Sequence, residues 1–412
     1  MAAPAPTTTP TVAPPRAGLR ATALLLAPQM AAACASLAVN VLAARTLGPS
    51  GRGHVALLLQ VGYLTNMLAQ AGTDRAYPVH APPGRPPRAA LADTARLVAP
   101  TGVLVVAAAV PVVAAAGGGS TPVSVVAFLV AAAAMIAGGA ARTAAAATGT
   151  VRPYMLGAVT GQIVLVATAV AFTAGQVTDA GVWLAGYAVA LACAPAVTWL
   201  LLPRVPSGSR RVDLRAARRL GLRLLPAGTA TMIMLRADRL LLPALAGLDQ
   251  LGVYIIVATV AELAAWTVQT WVDANTNRWH QQHLAGTLHH TRPLLAAAGY
   301  GTCAALVLLA AAPLIRPVFG DAYADAARLL PLLAAATVAY SVSRVAVGLG
   351  TAAGRARTAL AADLPATITA LGCYLLLIPR WGAYGAAAGS AIAYTVSALL
   401  AVTALARTRT RR

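Results

Sequence analysis

Long runs of apolar residues constrain this chain more than any other feature. Stretches of 18 residues or more, rich in Ala, Leu and Val, recur along its 412 residues, and only 10% of all residues are charged. A run of that length matches the apolar width of a bilayer, whereas charged residues make up roughly a quarter of an ordinary soluble domain. The sequence therefore predicts an all-α integral membrane protein.

The apolar runs divide the chain into two sets of six candidate spans. The predicted spans are 19–44, 53–76, 94–116, 122–147, 154–175, 182–203, 224–246, 251–275, 293–315, 328–350, 359–379 and 384–405. We expect residues 19–203 and 224–405 to form two pseudo-symmetric six-helix bundles around a central cavity. A disordered tail at 1–18, a basic linker at 204–223 and a basic tail at 406–412 complete the chain.

Arginines between the spans predict the orientation. The formal net charge is +20, and every basic residue apart from histidine is Arg. Twenty-two arginines lie in one set of alternate loops and tails and only five in the other set. Because cytoplasmic loops collect positive charge, we expect both termini and the 204–223 linker to be cytoplasmic, in the inner membrane of a bacterium. The positive charge then reflects topology and indicates no nucleic-acid partner.

A repeat at a spacing of 199 residues indicates an internal duplication. Two residue pairs recur at this spacing: Gly48 and Gly53 as Gly247 and Gly252, and Gln70 and Asp74 as Gln269 and Asp273. Because Gln and Asp are rare in this chain, we prefer duplication to chance. Duplicated transporter bundles place their binding site at the interface between the repeats.

Polar residues at intervals of three or four mark a wet face on four of the predicted spans. Such spacing on a membrane helix indicates a face turned to protein or water. The candidate binding residues on these faces are Asn40, Gln70, Glu262, Trp266, Gln269 and Arg344. We expect the four helices to line one central cavity, in which Trp266 is placed to stack on a sugar.

Charged residues inside the spans are the strongest candidates for binding. Each costs about 2.5–3.5 kcal/mol near the centre of a membrane helix, so a chain keeps it only for an ion pair or a ligand. The deepest are Arg236, Asp238, Arg239, Glu262 and Arg344. Three arginines against two acids leave surplus positive charge, and the guanidinium fork suits phosphate. A purely structural ion-pair network is the alternative.

Cysteine and histidine patterns give no sign of metal or redox chemistry. The four cysteines lie scattered in apolar runs, and His280, His283, His289 and His290 fall in one polar loop without a fixed frame for ligands. We expect no cofactor and no metal site.

Three segments carry a resemblance to a known family. They are residues 44–53 (ARTLGPSGRG), 235–254 (LRADRLLLPALAGLDQLGVY) and 378–388 (IPRWGAYGAAA). With these segments, the chain resembles the polysaccharide-translocase branch of the multidrug/oligosaccharidyl-lipid/polysaccharide exporter superfamily. The likeness extends over the whole chain in layout.

The resemblance implies a flippase that carries a polyprenyl-pyrophosphate-linked glycan across the membrane by alternating access, driven by an H⁺ or Na⁺ gradient or by the membrane potential. Arg236, Arg239 and Arg344 would hold the pyrophosphate while the lipid tail stays among membrane lipids. Asp74 and Asp273 would pair with Arg75 or Arg278 as an inner gate. In the alternative of a structural ion-pair network, Asp238 and Glu262 would neutralise the deep arginines. Glycosyltransferases or a polymerase of the same pathway are the expected protein partners.

Two other functions remain open from the sequence. A cation-coupled multidrug antiporter would also have twelve helices and a buried acid, but surplus buried arginine repels cationic drugs. A membrane glycan polymerase or ligase would need acid or base groups in a sizeable outer loop. The longest predicted outer loop, 316–328, contains no histidine, and we do not expect an enzyme.

The arginine distribution leads to a prediction about topology. Single cysteines placed in the 204–223 linker of a cysteine-free variant should react with a membrane-impermeant reagent only after the cells are opened. Cysteines placed in the 316–328 loop should react in intact cells. Labelling of the linker from outside intact cells would contradict the orientation.

Overall fold

The computed structural model describes residues 15–82, 84–116, 121–204, 212–355 and 357–407, and within them all regular structure is helical. The helices are α1 (Pro15–Gln70), α2 (Thr73–His80), α3 (Pro87–Ala116), α4 (Pro122–Thr148), α5 (Val151–Ala174), α6 (Ala180–Leu201), α7 (Leu214–Ala246), α8 (Leu248–Leu284), α9 (Thr291–Ala310), α10 (Ile315–Phe319), α11 (Leu330–Ala352) and α12 (Arg357–Ala406), with short 3-10 helices at Ala312–Leu314 and Asp321–Leu329. The predicted all-α fold is confirmed.

Two of these helices are each made of two membrane-spanning arms. Non-helical backbone at Gly48 (φ 67°) splits α1, and Gly382 (φ 55°) splits α12. Positive φ values favour glycine, which has no Cβ to clash with the backbone. Counting each arm separately gives twelve long helical segments, and eight helices of the described chain meet the length and hydropathy expected of a membrane span. The prediction of about twelve spans is confirmed.

Helix α7 begins inside the segment predicted to be a linker. Its first residue is Leu214, because the side chain of Asp213 accepts hydrogen bonds from the backbone N–H groups of Arg215 and Ala216, both at 3.0 Å. These bonds, led by that from Ala216, lower the pKa of Asp213. The remaining linker residues 205–211, the tail at 1–14 and the last residues 408–412 lie outside the described residues.

The sequence halves cross closely where the second arm of α1 meets α8. A Cβ built on Gly53 would lie 2.0 Å from the carbonyl oxygen of Leu248, and one built on Gly252 would lie 1.9 Å from that of Pro49. The contact is reciprocal, since Pro49 and Leu248 are related by the same 199-residue spacing as the two glycines. Reciprocal contact of equivalent residues is typical of two-fold symmetry, which supports the duplication.

Further bonds join the halves at the same end of the molecule, which we call the distal end. The Arg45 side chain donates from Nε to the Val318 carbonyl at 2.7 Å and from Nη2 to the Pro317 carbonyl at 2.6 Å. The hydroxyl of Tyr323 donates to the carbonyl of Ala44 at 3.1 Å. These hydrogen bonds therefore hold Ala44 and Arg45 of α1 against residues 317–323 of the C-terminal half. We call the opposite end, which contains α2 and the start of α7, the basic end.

The second repeated pair differs between the halves in local structure. Gln70 is the last residue of α1, and Asp74 lies in the separate helix α2 after a turn at Ala71. Gln269 and Asp273 instead lie within the continuous helix α8. The superposition of the two halves at these residues stays a prediction.

The crossing predicts the effect of adding volume at Gly53. Replacing Gly53 by Val should destabilise the folded protein by about 1–3 kcal/mol, because a backbone carbonyl has no free rotamer with which to avoid the added side chain. The measurement is the thermal unfolding of the purified protein in detergent. Gly138→Val is the matched control, since a Cβ at Gly138 meets nothing within 4 Å. Equal melting of the two variants would contradict the close crossing.

Candidate functional site

A cavity of about 340 Å³ lies between the halves, lined by residues of α1, α5, α6, α7 and α8. Its charged lining residues within the described chain are Arg52, Arg236, Arg239 and Glu262. Three guanidinium groups and one carboxylate leave two surplus positive charges. The cavity thus carries surplus positive charge on the residues that line it.

Glu262 joins the two arginines that α7 contributes. Its Oε1 lies 2.7 Å from Nη2 of Arg239 and 3.0 Å from Nη1 of Arg236. The two arginines are three residues apart in α7 and therefore reach the same side of that helix. One carboxylate oxygen cannot neutralise two guanidinium groups, so positive charge remains on the wall formed by α7.

Asp238 is directed away from this cavity. Its carboxylate accepts hydrogen bonds from the backbone N–H of Arg239 at 2.8 Å and from the hydroxyl of Tyr254. It lines a smaller neighbouring cavity together with Tyr394 of α12. Asp238 forms no ion pair within 4 Å of an arginine side chain among the described residues, and its pairing with a deep arginine stays a prediction.

Arg52 is the functional candidate that sequence reasoning missed. We expected it in a loop, but it lies in the first turns of the second arm of α1, only 4% exposed. Its Nη2 donates to the Oδ1 of Asn40, and its Nε and Nη1 have no hydrogen-bond partner among the described residues. The signal in the sequence is its position next to Gly53, the residue at which the halves touch.

Other buried polar atoms around the cavity also lack partners. They are Nε2 of Gln60, Oε1 of Gln162 and Nε of Arg239. A buried polar group without a hydrogen bond costs about 1–3 kcal/mol, so a native site keeps several only where water or a ligand satisfies them. These atoms around one cavity can therefore form hydrogen bonds with water or with a polar ligand in that space.

Neutral and aromatic groups complete the lining. The Arg236 guanidinium lies 5.7 Å from the ring centre of Tyr63 and donates to Oε1 of Gln60 at 3.4 Å. Trp266 lines the same cavity and is 58% exposed. With Asn40, the structure thus brings five of the predicted binding residues together: Asn40, Arg236, Arg239, Glu262 and Trp266.

The structure places Arg344 elsewhere. Its guanidinium pairs with the Asp363 carboxylate, donates to the Ser397 hydroxyl at 3.3 Å and lies 5.4 Å from the Tyr340 ring centre. It does not line the cavity between the halves. The expectation that Arg344 lacks an acidic partner is wrong, because Asp363 lies in α12 and sequence spacing does not show which residues of two helices meet.

Gln70 and Gln269 are also outside the cavity lining. Gln70 donates to the carbonyl of Ile136 at 3.1 Å and packs against α4. Gln269 donates to Oδ1 of its neighbour Asp273 at 2.9 Å. Both side chains therefore form hydrogen bonds with neighbouring protein atoms and do not line the shared cavity.

The residues of the predicted inner gate are exposed. They are Asp74, Arg75, Asp273 and Arg278. None of the four forms an ion pair with another described residue. The turn after α1 moves Asp74 onto the separate helix α2, away from the line that α1 would have continued. The gate therefore stays a prediction that this conformation does not display.

No group of three or more His, Cys, Asp or Glu side chains that could hold a metal ion is present among the described residues. His280, which we expected in a polar loop, lies in α8, and its Nδ1 is 2.8 Å from the carbonyl oxygen of Ala352 in α11.

Comparison with known proteins identifies the fold. No protein-family model matches the chain, and no curated protein matches it in sequence. An inward-facing multidrug-resistance MATE family transporter of the MOP superfamily matches with a TM-score of 0.69 at 15% identity, covering 92% of this chain and 94% of that one. The lipid II flippase MurJ, in an inward closed conformation, matches with a TM-score of 0.70 at 10% identity, covering 93% and 87%. The chain shares the fold of these proteins.

An outward-facing conformation of a MATE family transporter matches with a TM-score of 0.55, at 13% identity and 93% coverage of each chain. At these identities the comparison establishes the fold, and the cavity residues carry the functional argument.

The buried pair of Arg344 and Asp363 leads to a prediction about stability. Asp363→Asn should destabilise the protein by about 3–5 kcal/mol, because it leaves a buried guanidinium without its counter-charge. The double variant Arg344→Met with Asp363→Leu should melt within a few degrees of the wild type and keep transport activity. Thermal unfolding in detergent and transport in proteoliposomes measure both properties. Loss of transport by a stable double variant would show that Arg344 binds substrate.

Proposed function

We propose that this protein moves a polyprenyl-pyrophosphate-linked oligosaccharide or polysaccharide precursor across a membrane. The observation that carries the proposal is the cavity with Arg52, Arg236 and Arg239 against the single acid Glu262. Surplus charge buried between membrane helices is costly unless a ligand or water compensates it. An anionic ligand is the natural counter-charge.

The unpaired donors favour phosphate as the anionic group. Arg52 has two free nitrogens and Arg239 has one, so both guanidinium groups can add hydrogen bonds to a ligand. Phosphoryl oxygens accept parallel bonds from the guanidinium fork, and such charge-assisted bonds are about twice as strong as neutral ones. A pyrophosphate offers enough oxygens to be held by both halves at once.

The neutral part of the lining suits the glycan. Gln60, Gln162 and Asn40 provide amides for sugar hydroxyls, while Tyr63 and Trp266 provide ring faces for stacking. The polyprenyl tail needs no site of its own in the cavity, since the bilayer dissolves it. One structural neighbour is itself a lipid II flippase.

Alternating access between the halves is the mechanism we propose. The distal crossing at Gly53 and Gly252 closes one end, and its opening with closure at the basic end would expose the cavity to the other side. An H⁺ or Na⁺ gradient or the membrane potential would drive the cycle. Following the arginine distribution, we place both termini in the cytoplasm of a bacterial cell, where glycosyltransferases or a polymerase of the pathway are candidate partners.

The main rival is a cation-coupled multidrug antiporter, the class of several proteins with this fold. Two surplus positive charges in the cavity oppose the entry of a cationic drug, since like charges repel more strongly in a low-dielectric space. The cavity therefore favours an anionic substrate.

Transport by arginine variants tests this function. In proteoliposomes with a fluorescent polyprenyl-pyrophosphate-linked disaccharide, Arg52→Ala should lower the flipping rate at least about tenfold, the effect of losing a charge-assisted bond of about 1.5–3 kcal/mol. Arg52→Lys should recover part of the rate, because lysine keeps the charge without the fork. Accessibility of the sugar to an impermeant oxidant gives the rate.

The control is Arg316→Ala, which removes an exposed arginine from the distal end, paired there with Asp321. It should transport at the wild-type rate. Deletion of the gene in its own host should also cause lipid-linked intermediates to build up. A wild-type rate for Arg52→Ala, or no accumulation after deletion, would overturn the proposed function.

A further inference from the structure

A second concave surface lies in the N-terminal half, on the outside of the bundle at the basic end. It is an open groove of about 480 Å³ between α3, α4 and α6. Its wall consists mainly of small apolar side chains, Ala92, Ala95, Ala137, Ala140 and Ala141, and Trp199 bounds one side. No polar or charged side chain is among its lining residues. The groove is thus an apolar channel whose lining provides no charged or polar side chain for a hydrogen bond.

Arginines surround this groove where the apolar wall ends. Arg88 donates from Nε to the carbonyl of Leu202 at 3.0 Å, and its guanidinium lies 5.1 Å from the ring centre of Trp199. These contacts hold one positive charge at the edge of the groove. Arg142 and Arg96 directly follow lining residues in α4 and α3, and both are exposed.

Acidic residues near the groove do not balance these arginines. Asp93 is buried and shared between Arg85, at 2.7 Å, and Arg96, at 3.7 Å. Arg142 forms no ion pair with a described residue. The rim of the groove therefore carries surplus positive charge beside an apolar channel.

This pairing of an apolar channel with a cationic rim matches one class of molecule. An acyl chain fills an apolar groove by contact alone, and a phosphate group beside it finds arginine donors at the level of the membrane surface. A zwitterionic lipid would bring its own positive group to the same arginines. A transmembrane helix of a second protein also packs on small residues by contact alone, but it brings no phosphate group to the arginines of the rim.

We propose that this groove is a binding site for one anionic phospholipid of the leaflet at the basic end. One acyl chain lies along the alanines, and the phosphate lies between Arg88 and the exposed Arg96 and Arg142. The site is separate from the cavity between the halves and does not depend on the transported substrate.

Native mass spectrometry of the purified full chain tests the site. The protein is mixed with equal amounts of phosphatidylglycerol and phosphatidylcholine, and the retained lipid is counted. The wild type should keep one phosphatidylglycerol with a preference of at least about fivefold. Ala95→Leu with Ala137→Leu, two exposed positions, should fill the groove and abolish retention of both lipids. Arg96→Gln with Arg142→Gln should keep one lipid but lose the preference.

Matched controls separate the site from general lipid contact. Ala107→Leu adds the volume of one of the two leucine substitutions at an exposed position of α3 away from the groove, and Arg292→Gln removes an exposed arginine from α9. Both should retain phosphatidylglycerol as the wild type does. Equal retention of the two lipids by the wild type, unchanged retention after filling the groove, or co-purification of a polyprenyl-linked glycan in place of phospholipid would overturn the proposal.

Discussion

The crossing of the second arm of α1 with α8 is the constraint on which the site depends. Because Gly53 and Gly252 have no side chains, the backbones of the two halves touch there. Any side chain at either position would separate the helices. The contact brings Arg52, the residue before Gly53, into the interior beside the arginines of α7. The close approach between the backbones of the two halves thus places a third arginine in the shared cavity.

Some buried arginines of this protein have a carboxylate of their own, and others do not. The difference depends on whether the arginine lies within one half or between the halves. Inside the C-terminal half, Arg344 has a carboxylate and a serine hydroxyl as partners. At the wall of the cavity, Arg236 and Arg239 share one carboxylate, and Arg52 has only the amide of Asn40. A matched charge pair within a half stabilises helix packing, whereas the unmatched positive charge between the halves leaves bonding capacity for a ligand.

Much of the cavity could be predicted from single helices. Arg236 and Arg239 are three residues apart, and Glu262 and Trp266 are four apart, so each pair must lie on one face of its helix. The surroundings of Arg344 could not be predicted in this way. Its depth was visible in the sequence, but its partner Asp363 lies in another helix. Arg52 was not predicted to line the cavity, because the end of a span is uncertain by several residues when only apolar composition marks it.

By itself, the sequence determined the helical class, the number of spans and the residues whose burial is costly. These properties are local, because a chain in lipid must satisfy its backbone hydrogen bonds within each helix, and an apolar run must match the bilayer width. Only the tertiary structure decided which charges meet. That choice depends on the rotation and spacing of helices distant in sequence, which at Gly53 and Gly252 are set by contact between backbones. Because of this packing, Glu262 forms ion pairs with two arginines, while two nitrogen donors of Arg52 at the cavity have no hydrogen-bond partner among the described residues.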